Sequence, residues 1–239
     1  MTSRTRSMIG ALMMLAILPI LAGLLACMPV PIGDPERSRI DPDINGVWVM
    51  DEEGDFVLYA FQPYDKRTWL VTVAKVEAGP DLEGEPPETN SLESLLQALD
   101  THAIGRDGIT SPDTVVYKAW LAKIGGVRFM TWEQMGGFDD AGNFTPTFWF
   151  VFKVIKPNAD RVEFHMINPE HDGFDHLVMP DDYEGDDYAR DMRRKWERAL
   201  RKVAKDEELY TDPLVMTRLP DEYLDEASEL FQEVIDFSD

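Results

Sequence analysis

One stretch near the start of the chain has the spacing of a calcium-binding loop. The pattern D-x-[DN]-x-[DN]-G-x5-E is matched by Asp41, Asp43, Asn45, Gly46 and Glu52. Calcium needs several converging oxygens, usually on a loop held between two helices. Pro42 and the Pro-rich sequence before it leave no helix on that side. We therefore interpret the stretch as a turn that opens a strand, with Gly46 at an unusual backbone angle.

An acidic loop at residues 169–187 contains a second set of possible metal ligands. Imidazole and carboxylate groups are good zinc ligands. The loop carries Glu170, His171, Asp172, Asp175 and His176. Their spacing matches no strong motif, and loops rich in Asp and His are usually solvated. We predict no metal and no cofactor.

The chain lacks the short motifs of several common enzyme classes. G-x-S-x-G, H-E-x-x-H and a glycine-rich phosphate loop are all absent. With 45 Asp and Glu residues, a paired-carboxylate hydrolase stays open, although no pair stands out. The net charge of −22 disfavours nucleic acid as a partner. We expect a protein that is not an enzyme.

The N-terminus has the composition of a secretion signal. Arg4 and Arg6 precede an uncharged apolar run from Met8 to Ala26, and a polar, Pro-rich stretch follows. The run is also about long enough to span a bilayer as a retained helix. The small residue Ala26 and the abrupt polar switch after it favour cleavage.

Residues 24–27, Leu-Leu-Ala-Cys, resemble the lipobox of bacterial lipoproteins. The resemblance implies that Cys27 becomes the mature N-terminus and carries fatty acyl chains such as palmitate, which attach the protein to a membrane of the cell envelope. Met28, where some lipoproteins have Asp, implies the periplasmic face of the outer membrane rather than the inner membrane. Cys27 is the only cysteine, so no disulfide can form within the chain.

Composition divides the chain into three parts. We expect a signal peptide, a flexible Pro-rich tether and a single β-rich domain at residues 1–26, 27–45 and 46–239. Within the domain, an acidic insertion, a basic amphipathic helix and a C-terminal helix are predicted at residues 78–112, 184–205 and 221–237.

Strand patterns dominate the domain. About eight stretches are rich in β-branched and aromatic residues, and Gly125–Gly126 has the composition of a hairpin turn. The expected fold is mainly β with added helices: an antiparallel barrel or half-barrel with the C-terminal helices packed outside.

Aromatic residues alternate along one of these strands. Phe148, Phe150 and Phe152 share one face, and Trp149 and Val151 share the other. Either this is a core strand with a helix packed on its outside, or the Phe face lines a cavity for an apolar ligand. A further possible lining or plugging residue is Trp120.

The basic helix is the one basic surface of an acidic chain. It contains Arg190, Arg193, Arg194, Lys195, Arg198, Arg201, Lys202 and Lys205. Its apolar stripe predicts packing on the sheet. Its basic face then either meets the acidic loops of the protein itself or docks on anionic lipid headgroups.

Two stretches resemble lipocalins. Gly46-Val47-Trp48 is similar to their G-x-W motif, and LVMTRLP followed by a helix is similar to the end of their barrel. The resemblance implies that the Trp48 indole packs against Arg218 under the barrel floor, and that the barrel binds a small apolar ligand or lipid. The alternative is an interaction protein that docks in an envelope complex.

Overall fold

Eight antiparallel strands form a closed barrel in this computed structural model, which describes residues 28–52, 55–76, 115–134, 149–177, 186–225, 227–228 and 231. Each strand pairs with the next in sequence, and the last strand closes on the first. The strands are β1 Gly46–Glu52, β2 Asp55–Pro63, β3 Trp69–Val76, β4 Val115–Ile124, β5 Val127–Gln134, β6 Trp149–Ile155, β7 Arg161–Met166 and β8 Leu214–Arg218.

The alternation of side chains along the strands separates the barrel interior from its outer wall. On β2, Val57, Tyr59 and Phe61 point into the interior cluster. Phe56, Leu58 and Ala60 point outward, where they pack with Ala227 and Phe231 of the C-terminal residues. A strand that is apolar on both faces is therefore covered on both.

The hairpin between β4 and β5 confirms the turn predicted from its two glycines. Gly125 and Gly126 have φ angles of 61° and 90°, the left-handed values that a two-residue turn of this kind requires. A side chain at Gly125 would also lie 3.2 Å from the carbonyl oxygen of Arg201, so this turn sits close against the helix that covers the outer wall.

Residues 28–45 differ from the predicted flexible tether because they pack along the outer wall of the barrel. Met28, Val30 and Ile32 are at most 2% exposed. They share a cluster with Phe129 and Val151 of the wall. The apolar residues recur at every second position, which is the spacing of an extended segment with one buried face, and the interspersed prolines conceal that period.

The basic helix α1 spans Asp186–Val203, slightly shorter than predicted at both ends. Its buried stripe includes Met192, Trp196 and Ala199, which contact the cluster that also holds the N-terminal segment. The stripe predicted from the sequence is thus confirmed for these residues. Behind the helix, Tyr210 donates a hydrogen bond to the carbonyl of Ala204 at 2.6 Å, and burial raises the pKa of the Tyr210 phenol.

Several predictions fall on residues that the structure does not describe. The signal peptide, Cys27 and the insertion at 78–112 lie outside the described residues. Within the described residues, no helix combines the length and the apolar composition needed to cross a membrane.

Candidate functional site

One end of the barrel is sealed by a floor formed by Ile44, Trp48, Trp69 and Arg218. The first three side chains are fully buried. The Trp48 indole donates to the carbonyl of Ile44 at 2.8 Å, and the Trp69 indole donates to Asn45 Oδ1 at 2.8 Å. Every polar group of these two rings therefore has a partner, as buried indoles require.

Arg218 fixes the floor to the turn that precedes β1. Its Cζ lies 4.4 Å from the centroid of the Trp48 ring, so the structure brings together the two residues paired in the sequence analysis. Its guanidinium donates to the carbonyl of Asn45 at 2.7 Å and also to that of Asp43. Gly46 has a φ of 117°, and a side chain there would lie 2.8 Å from Arg218 Nη1. The unusual angle expected at Gly46 is thus confirmed.

Aromatic rings fill the middle of the barrel. Trp132 lies at their centre, with ring centroids 4.8 Å from Phe152, 5.5 Å from Phe164 and 5.7 Å from Phe61. The Phe61 and Phe164 rings are stacked at 5.8 Å. An eight-stranded barrel is just wide enough for its side chains to fill. The barrel interior is therefore packed at this level.

The opposite end of the barrel carries an apolar mouth. It lies where β1, β3, β5 and β7 end, and where β2, β4, β6 and β8 begin. Its side chains point inward but are only half-buried, in contrast to the floor: Met50, Val73, Tyr117, Phe150, Met166 and Leu214. Tyr117 and Phe150 meet edge to face with centroids 6.0 Å apart. The mouth is thus a ring of apolar groups from several strands above a packed core.

An unpaired donor lies directly beneath the mouth. Trp132 is 3% exposed, and its indole nitrogen has no hydrogen-bond partner among the described residues. The indoles of Trp48, Trp69, Trp120 and Trp149 all donate to oxygens at 2.8–3.1 Å, whereas the buried indole nitrogen of Trp196 on α1 also lacks a partner among the described residues. A buried N–H without an acceptor costs roughly 1–3 kcal/mol.

The residues predicted to line a ligand cavity lie on different sides of the barrel wall. Phe150 and Phe152 point into the barrel, as the cavity interpretation expected. Trp120 does not: it lies on the outer wall, where its indole donates to the carbonyl of Ile32 at 2.9 Å. Its prediction as a lining residue is wrong because β4 directs Ala119 and Leu121 inward, which turns Trp120 outward. Phe148 lies outside the described residues.

The calcium-loop pattern does not assemble a common site. Asp41 pairs with Arg128 at 2.6 Å, and Asp43 pairs with Lys156 at 3.4 Å. Asn45 is occupied by the Trp69 indole. These oxygens face separate partners, so the stretch acts as the turn that closes the barrel floor.

The candidate metal ligands of the acidic loop likewise lie apart from one another. His171 accepts a hydrogen bond from the amide of Gly173 and lies 3.5 Å from Asp206, whereas His176 faces α1. Within the part of the chain that the structure describes, no group of three or more His, Cys, Asp or Glu side chains is placed to hold a metal ion.

The basic face of α1 borders a surface depression of about 310 Å³, lined by Leu177, Met192, Lys195, Arg198 and Lys202 among others. Lys195 pairs with Asp191 on its own helix at 2.9 Å. Arg198 and Lys202 form no ion pair with any described residue and stay exposed. Among the acidic residues that the structure describes, none therefore pairs with these two cations.

Sequence reasoning missed Trp132, which is central to the interior. Its signal is the alternation in β5, where Met130 and Trp132 share the inward face and Phe129 and Thr131 share the outward one. Both faces are covered, so the apolar period that would mark the inner face is blurred.

No protein-family model, curated protein or solved structure matches this chain.

Proposed function

We propose that this protein is a non-enzymatic binding module for a small apolar ligand or lipid, which it holds in the barrel mouth. The observation that carries the proposal is the ring of half-buried apolar side chains at one end of a barrel whose other end is sealed. Contact with an apolar chain would remove this surface from water, which is worth about 25 cal/mol per Å². The lipocalin-like resemblance at Trp48 and Arg218 supports the same function.

The unpaired indole of Trp132 narrows the ligand class. A ligand with an apolar chain and one oxygen acceptor, such as a fatty acid, would satisfy this donor as well as the mouth. The net charge of −22 disfavours ligands with several negative charges. A fatty acid in its neutral form, or a fatty alcohol or ester, fits both conditions.

The protein is further proposed to be held at the bacterial cell envelope by lipid on Cys27. The support is the sequence: basic residues, an uncharged apolar run and a small residue before the only cysteine. Metabolic labelling with an alkyne-bearing palmitate is expected to mark the full-length protein. A Cys27→Ser variant that takes up the same label would contradict acylation at this residue.

Replacement of Leu214 by glutamate is expected to weaken ligand binding about tenfold or more, since a charge in the mouth adds at least about 1.4 kcal/mol. The measurement is photolabelling by a fatty acid with a diazirine on its chain, followed by peptide mapping. Labelled residues are expected on β4, β6 and β8 near the mouth. Trp132→Phe replaces the indole by a smaller aromatic ring without a donor, so it is expected to weaken binding of the fatty acid more than binding of a hydrocarbon of equal length.

Thr217→Glu is the matched control, because Thr217 lies on the same strand but is exposed on the outer wall. This variant is expected to label like the parent protein. Labelling confined to the outer wall, or equal losses in the Leu214 and Thr217 variants, would exclude the mouth as the binding site.

A second candidate function is favoured by the exposed cations on α1. The interaction protein expected as the alternative would dock an acidic partner on the face that includes Lys195, Arg198 and Lys202. In that case, charge reversal at these three positions should abolish capture of an envelope protein, while fatty-acid labelling persists. Labelling that is weakened in Leu214→Glu, with no capture of an envelope protein that depends on these three cations, favours the ligand-binding function.

A further inference from the structure

The first described residue of the chain lies at the mouth end of the barrel. The amide of Met28 donates to the carbonyl of Trp149 at 2.8 Å, and Met28 is 2% exposed. Trp149 begins β6, and the next residue, Phe150, belongs to the mouth. Cys27 is joined to Met28 by one peptide bond, so their Cα atoms are about 3.8 Å apart.

From Met28 the segment runs down the wall toward the floor, bound along its length. The carbonyl of Ile32 accepts from the Trp120 indole at 2.9 Å and from the Thr131 hydroxyl at 2.6 Å. The Ser38 hydroxyl then accepts from the Leu121 amide at 3.0 Å. As a free extended chain, each of these residues would add about 3.3 Å of reach. Because residues 28–45 are packed on the wall, they do not lengthen the connection between Cys27 and the barrel.

The sequence before Met28 predicts a membrane attachment beyond that end. Both interpretations of the uncharged run from Met8 to Ala26, a retained span or a signal replaced by acyl chains on Cys27, attach the chain to a lipid bilayer at the same point. We propose that the barrel stands with its mouth against the bilayer surface. This orientation rests on the proposed membrane attachment. If the proposed binding function also holds, apolar ligands pass directly between the bilayer and the mouth.

The chemistry of the mouth suits such contact. Tyr117 and Trp149 lie at this end, and rings with a polar atom are favoured at the level of lipid headgroups. Entry through the contact spares an apolar molecule the cost of crossing water, which scales with its area at about 25 cal/mol per Å². Because attachment is covalent, the acidic surface of the barrel does not have to bind the membrane.

The orientation can be measured with single fluorescent labels on the full-length protein in phosphatidylcholine vesicles that contain a nitroxide-headgroup lipid. Once Cys27 is acylated, an introduced cysteine is the only free thiol. Three exposed positions sample three faces: Asp51→Cys at the mouth end of β1, Asn158→Cys in the turn after β6 at the floor end, and Lys202→Cys on α1. The parent protein, labelled in the same way, gives the background.

Quenching at position 51 is expected to exceed quenching at positions 158 and 202 by several-fold. Stronger quenching at position 202 would overturn the proposal, because the barrel would then lie on its side through the basic helix. Equal, weak quenching at all three positions would also overturn it, since the barrel would then stand away from the bilayer. A Leu214→Glu background separates the two proposals: it should weaken fatty-acid labelling about tenfold or more, while position 51 stays the most strongly quenched of the three, because the attachment point at Cys27 is unchanged.

Discussion

Replacement of Arg218 by alanine is expected to lower the free energy of unfolding by about 3 kcal/mol. The guanidinium joins the end of β8 to the turn before β1 through the carbonyls of Asp43 and Asn45, and it covers the ring of Trp48. Loss of the side chain leaves these carbonyls without their donor and removes the contact that closes the floor, at the seam where the last strand meets the first.

Denaturant unfolding followed by tryptophan fluorescence measures this loss. Arg218→Lys keeps the charge but cannot donate to both carbonyls from one planar group, so it should fall between the parent and the alanine variant. Arg37→Ala is the matched control, because that side chain is 87% exposed and makes only a surface ion pair at 3.6 Å. An Arg218→Ala protein as stable as the Arg37→Ala protein would show that the seam does not depend on Arg218.

Replacement of Ile32 by alanine is expected to cost about 2–4 kcal/mol of unfolding free energy. The side chain is fully buried on the outer wall. Its truncation leaves a gap beside Phe129 and Val151, which belong to the same cluster. A residue in a flexible tether would show almost no effect, so the size of the change distinguishes a packed segment from a free one.

Equilibrium unfolding and limited proteolysis test this prediction together. The variant should become sensitive to cleavage within residues 28–45 at denaturant concentrations where the parent resists. Arg39→Ala serves as the control in the same segment, since Arg39 is exposed and is expected to change stability by less than about 0.5 kcal/mol. Equal stability of the Ile32 and Arg39 variants would show that the segment is a flexible tether and not a packed part of the domain.

Local patterns predicted much of the barrel. Val162, Phe164 and Met166 recur at every second position, which is the spacing of a strand with one apolar face, and the structure directs these residues inward. The Gly125–Gly126 turn was likewise readable, because a left-handed turn needs residues without a side-chain penalty. The alternation of a strand and the composition of a tight turn both depend on residues that are close in sequence, so they can be recognised in a single sequence.

The sequence predicted only some residues of the candidate site correctly. Phe150 and Phe152 were identified from their shared face, but Trp120 was grouped with them although it faces outward. The direction of a strand face is ambiguous when both faces are apolar. On β4 that choice depends on the N-terminal segment, which covers Trp120 from far away in the sequence.

The sequence by itself determined a β-rich chain with a basic amphipathic helix, an apolar run before its single cysteine, and a Gly-Val-Trp start to the first strand. Only the tertiary structure decided that the barrel closes, that Trp132 is buried without an acceptor, and that residues 28–45 are packed. The physical reason is common to all three. Each depends on contacts between residues distant in sequence, such as Ile32 with Trp120 and Thr131, and the local period of a sequence carries no record of them.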